Sequence, residues 1–107
     1  MAGERQPPVK VPKVAPLTFD AYAAQWLRER DLKPRTREGY EHLMRSYLSP
    51  VLGPLVIDTI TPSIVRTWWS QLPADKPTVR ARSYALLKAV MNTAVADEAI
   101  DSNPCRI

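Results

Sequence analysis

Glycine and cysteine are scarce in this sequence: its 107 residues hold three glycines, at positions 3, 39 and 53, and one cysteine, Cys105. A lone cysteine cannot close an internal disulfide. With a single histidine, His42, there is also no Cys/His set at zinc-ligand spacing. No covalent or metal staple is expected, and no cofactor. The isolated glycines exclude a Gly-rich phosphate loop. No apolar run approaches the ~20 residues of a membrane span, and Met1 to Arg5 lead into prolines rather than an apolar signal segment. The expectation is an intracellular protein. No Asn-Gly or Asp-Gly turn stands between alternating residues, so hairpins are not expected either.

What is present is a globular composition, 45% hydrophobic, in a length that suits one domain. Pro7, Pro8, Pro12 and Pro16 crowd the first 17 residues. They predict a disordered or extended linker over 1–17, because proline removes backbone donors and favours extended geometry. From Thr18 onward the periodicity is helical. Phe19, Tyr22, Ala23, Trp26 and Leu27 make one apolar stripe behind a Thr18 N-cap, predicting a helix over 18–31. A second is predicted over 34–49, starting on Pro34, with Thr36, Tyr40, Leu43, Met44 and Tyr47 on one face and Pro50 as its stop. Residues 54–60 read as an extended connector that inserts Leu55 and Ile57 or Ile60 into the core. Thr61-Pro62 opens a short helix to residue 72, and Pro77 or Thr78 opens the longest, to residue 99. That last helix turns Val79, Leu86, Leu87, Val90, Met91, Ala94 and Val95 inward and leaves Ala81, Ala85, Ala89 and Ala96 outside. The predicted fold class is all-α, a compact four-helix bundle over 18–107.

Catalysis has little to work with. His42 falls on the polar side of its helix without a triad partner, and the pairs Glu38/Glu41 and Asp97/Glu98 lie on ordinary helical surface. No enzymatic activity is expected of this chain alone.

Charge is more informative. Lys and Arg outnumber Asp and Glu by 15 to 11, a net +4, and the excess gathers at two helix starts. One is Lys33-Pro34-Arg35-Thr36-Arg37; the other is Lys76-Pro77-Thr78-Val79-Arg80-Ala81-Arg82, and residues 76–88 hold no acid at all. Cations at a helix N-terminus oppose the macrodipole, at up to ~1 kcal/mol each. A phosphate placed there reconciles the signs, since free N–H groups, dipole and side chains all favour it. The same pattern is also compatible with plain solvated surface, and the residues alone leave both readings open. The aromatic residues lie mostly on apolar stripes and are expected in the core, not as a base-stacking platform.

Taken in order, Leu17-Thr18-Phe19, Trp26, Leu32-Lys33-Pro34-Arg35-Thr36, Tyr40, Leu52-Gly53-Pro54-Leu55, Ile57 to Pro62, Trp68, Thr78 to Arg82, Ala94-Val95-Ala96 and Ile100 to Pro104 resemble the core-binding domain of phage-type integrases. These are tyrosine recombinases whose N-terminal helical domain is SAM-like. The resemblance implies a module that grips duplex DNA at a recombination core site. It further implies that a separate domain carries the catalytic Arg, Lys, His and Tyr, so none of the four tyrosines here is the nucleophile and the chain is expected to be an excised fragment. In such integrases the second and fourth helices face DNA. Arg35, Thr36 and Arg37, with Lys33, are then expected to hold phosphates. Lys76, Thr78, Arg80 and Arg82 are expected to do likewise or to reach bases, with Lys88 and Asn92 as candidates for direct readout of guanine and adenine. The isolated domain is expected to be monomeric and the parent integrase tetrameric on DNA. A helical adaptor domain for protein partners is the alternative; a free-standing helix-turn-helix regulator fits the Gly53-Pro54 connector poorly.

Overall fold

The computed structural model describes residues 17–106; the linker expected over 1–17 lies, apart from Leu17, outside them. Five α-helical segments follow one another: α1 (Phe19–Glu29), α2 (Pro34–Leu43), α3 (Ser49–Leu52), α4 (Pro62–Ser70) and α5 (Pro77–Ala96). A π-helical turn, Met44–Leu48, joins α2 to α3, so these run as one rod and the bundle has four rods. The all-α expectation holds: the described residues contain no strand, only an isolated antiparallel bridge between Thr18 and Val56.

α1 forms where its stripe predicts. The Thr18 hydroxyl accepts from the Ala21 N–H at 3.1 Å, and Phe19, Tyr22, Ala23, Trp26 and Leu27 are all buried. The helix ends two residues before the expected boundary because Arg37 intercepts its last turn, donating to the carbonyls of Leu27 at 2.6 Å and Arg30 at 2.7 Å. At its other end the connector is tied down by backbone bonds, Phe19 N–H to Leu55 O and Ile57 N–H to Leu17 O, both 2.8 Å. Ile57 and Ile60 are both buried, while Leu55 is only half-buried.

The second rod departs from expectation. Pro50 does not stop it; the chain stays helical to Leu52. A proline inside a helix lacks an N–H and crowds the carbonyl four residues back. The π turn answers this by widening the rod one turn earlier, with Ser49 N–H bonding Met44 O. The Tyr47 carbonyl is taken by the Trp68 indole N–H at 2.7 Å. Met44, Leu48 and Leu52 face the core, while Tyr40, Leu43 and Tyr47 are half-buried and Thr36, expected on the same face, is exposed.

α4 begins on its Thr61 cap, whose hydroxyl accepts from Ile64 N–H at 3.2 Å, and ends at Ser70 with Leu72 still buried. α5 stops at Ala96 rather than 99, because Glu98 takes φ 63° and Ala99 N–H turns back to Ala94 O at 2.8 Å. Trp68, Phe19, Leu48, Leu52, Leu87 and Met91 make the centre of the core. A polar seam joins α1 to α5: the Tyr22 hydroxyl donates to Asp97 at 2.6 Å, and Trp26 and Arg30 both donate to the Thr93 hydroxyl, at 3.1 and 2.8 Å.

Candidate nucleic-acid interface

Four helices have ordinary starts available to them, yet only two use a side-chain cap. Thr18 and Thr61 cap α1 and α4. α2 and α5 instead begin behind Lys33 and Lys76, with no side-chain cap bond and no acid in the first turn. Those are the two basic starts singled out by the charge map. Both contribute to one open groove of about 580 Å³ between α2 and α5. Arg35 and Thr36 line it from α2, and Thr78 and Arg82 from α5; all four are exposed. Lys33 and Lys76 are exposed at the two helix starts.

The structure gives the other candidates different work. Arg37 is half-buried and donates to the Leu27 and Arg30 carbonyls at the end of α1, outside the groove lining. Arg80 lies two residues from both Thr78 and Arg82, about 200° round the helix from each, and so faces away from the groove. Its guanidinium stacks on Trp69 of α4, 3.8 Å from the ring centroid, and its Nε is buried without a hydrogen-bond partner. Arg80 and Arg82, adjacent in the basic cluster, thus lie on different faces of α5. Asn92 is exposed, but its amide oxygen accepts from Asn103 at 2.7 Å, and the same Asn103 amide reaches the Lys88 carbonyl at 3.2 Å. That bond takes one of the two lone pairs of the Asn92 amide oxygen. Asn92 and the Lys88 backbone therefore anchor the segment around Cys105. The Lys88 side chain remains exposed.

Sequence reasoning missed most of the groove's floor and far wall, Gly39, Tyr40, His42, Leu43, Val79 and Leu86; Ala85 and Ala89, which also line it, were expected on the outer face of α5. His42, expected as plain surface, lines the groove and meets Tyr47 edge-on, with ring centroids 6.1 Å apart. Gly39 was the available signal. A glycine in a helix interior needs a reason, and here a Cβ would meet nothing within 4 Å.

Among the described residues there is no cluster that could hold a metal ion and no helix long and apolar enough to cross a membrane. Cys105, the only cysteine, is buried, and that burial pushes its thiol up to about 12; a thiol so far from ionising is not a nucleophile at neutral pH.

The sequence has relatives among known proteins. A protein named as a prophage phiRv2 integrase in Mycobacterium tuberculosis is 45% identical over 89 residues, 83% of this chain and 24% of the relative. The integrase of Mycobacterium phage L5 is 44% identical over 91 residues, 85% of this chain and 24% of its own. That of Mycobacterium phage FRAT1 is 42% identical over 91 residues, covering 85% and 27%. The chain thus spans about a quarter of the length of these relatives. No solved structure matches it. The sequence pattern described as phage integrase, N-terminal SAM-like domain, matches residues 18–73, which take in α1 through α4, and the chain belongs to that family.

Proposed function

We propose that the α2–α5 groove is the surface by which this chain grips duplex DNA, as the core-site module of a site-specific tyrosine recombinase. The observation that carries the reading is the groove itself: two uncapped, basic helix starts supply its walls. Arg35 and Arg82, with Lys33 and Lys76 beside them, neutralise phosphates, and Thr36 and Thr78 add hydroxyl donors. Cutting and rejoining strands belongs, on this reading, to other parts of the parent recombinase, which assembles as a tetramer on DNA inside the cell; this module contributes position, not chemistry.

Salt dependence tests it. Four phosphate contacts, from Lys33, Arg35, Lys76 and Arg82, give a slope of log affinity against log salt of roughly −3.6. Fluorescence anisotropy on a labelled 25-base-pair duplex at several salt concentrations measures that slope. A slope near zero, or no binding in low salt, defeats the proposal and favours an adaptor for protein partners.

A further inference from the structure

Between its cationic walls the groove is lined mainly by carbon. Leu43, Val79 and Leu86 lie in it, and α5 adds Ala85, which is exposed, and Ala89. α2 adds Gly39, in a helix interior where glycine is among the least favourable residues. Its φ is not positive, and beyond its chain neighbours and the backbone of its own helix a Cβ there would meet no atom within 4 Å. Nothing in the fold requires position 39 to be bare, so its smallness leaves room for something outside the chain.

We infer that the groove receives the C5-methyl edge of thymines in the DNA major groove, against Ala85 and Ala89 and beneath Gly39, with Arg82 beside them on an adjoining phosphate; this rests on the DNA-binding reading above. The charge on Arg35 and Arg82 favours an anionic occupant, whereas the α5 residues that line the groove beyond Arg82, namely Ala85, Leu86 and Ala89, offer it no side-chain donor. A sugar-phosphate strand laid there would leave phosphates facing methyl groups. Among major-groove edges, guanine and adenine present acceptors or donors that carbon would leave unpaired, and cytosine presents a donor. The thymine methyl is the major-groove group that carbon satisfies. Spacing agrees, since residues four apart rise ~6 Å along a helix and two base-pair steps rise ~6.8 Å.

The test starts from a pool of duplexes with 20 random base pairs, selected for binding to the 107-residue chain. Each thymidine of the converged sequence is then replaced singly by deoxyuridine, which removes the methyl and nothing else. One or two positions should lose about threefold to fivefold in affinity, as expected for a single carbon withdrawn from an apolar contact. In A85S the difference between thymidine and deoxyuridine at one such position should shrink towards onefold, with helicity and the salt slope unchanged. G39A should unfold at a higher temperature than the parent chain and yet bind the selected duplex at least fivefold more weakly. Salt-dependent binding without convergence of the pool, or a converged site indifferent to every deoxyuridine, overturns the methyl contact while leaving the DNA grip intact. Absence of salt-dependent binding overturns both.

Discussion

Arg37 separates a structural from a DNA-binding account of the same charge. Its two terminal nitrogens reach carbonyls at the end of α1, one to Leu27 in a partly buried setting and one to Arg30 in an exposed one. Hydrogen bonds to charged groups contribute ~1.5–3 kcal/mol each when sheltered, and exposure reduces that substantially. Counting the Leu27 bond near the lower end and discounting the Arg30 bond heavily, R37A should lose about 2 kcal/mol. For a domain of this size that lowers Tm by roughly 8–16 °C. Urea denaturation followed by tryptophan fluorescence gives the free energy, and Trp26, close to this helix end, is a suitable reporter. In the same variant the salt slope for duplex binding should stay near −3.6, measured at a temperature where the chain remains folded. Unchanged stability with a slope smaller by about 0.9 would refute the assignment and return Arg37 to the phosphate set.

Other perturbations address other parts of the molecule. R82E should reduce duplex binding at least tenfold in anisotropy without moving Tm by more than about 4 °C, since exposed surface changes rarely exceed ~0.5 kcal/mol; R80E, which strips a cation from the Trp69 face, should destabilise the fold by about 1 kcal/mol or more in urea. G53A should be among the most damaging small changes, because a Cβ there would stand 2.6 Å from the Ser49 carbonyl oxygen and nearer still to the Asp20 carboxylate, which Ser49 already holds at 2.6 Å; circular dichroism should show a loss of several degrees in Tm. For Cys105 the folded thiol ionises near 12 against an ordinary 9.0, so its proton stabilises the fold fully below about pH 9, and that contribution is lost as pH rises towards 12. The urea midpoint should therefore fall across pH 9 to 11, and C105A should flatten part of that fall; the Tyr22 hydroxyl, raised by burial and by Asp97, accounts for a further part above pH 10.

Local chemistry made much of this architecture readable before any coordinates. Threonine followed by a helical stripe located α1 and threonine followed by proline located α4, while the connector, expected to bury Leu55 and one isoleucine, buries both isoleucines and Leu55 only in part. The error at Pro50 has a physical source. Proline is a dependable stop only while the helix keeps one hydrogen-bond period, and the π turn at Met44–Leu48 changes that period. Nothing in a run of residues announces that Trp68, twenty-one positions on, will take the Tyr47 carbonyl. The site was legible to a similar depth. Two basic helix starts stood out, and Arg35, Thr36, Thr78 and Arg82 do line one groove. Arg37 and Arg80 could not be told from them by type or position, because what distinguishes them is a tertiary partner: a helix end for one, an indole face for the other.

Where this fold departs from the choices that stability alone favours, the departures gather in one place. α1 and α4 have threonine caps, and each such cap is worth ~1 kcal/mol. α2 and α5 forgo that contribution and set lysine, arginine and proline in its stead. Gly39 costs α2 roughly another 1 kcal/mol relative to alanine. Together these amount to about 3 kcal/mol in a domain whose whole stability is expected near 5–15 kcal/mol. Scattered at random over four rods, such features would imply only a loosely optimised chain. Here the basic side chains beside both uncapped starts and the bare glycine line the same groove, and one bound polyanion would turn the unpaired N–H groups, the opposed charges and the missing side chain from liabilities into contacts. Stability lost in the free domain and recovered on binding is the energetic form expected of a surface shaped for its partner rather than for itself.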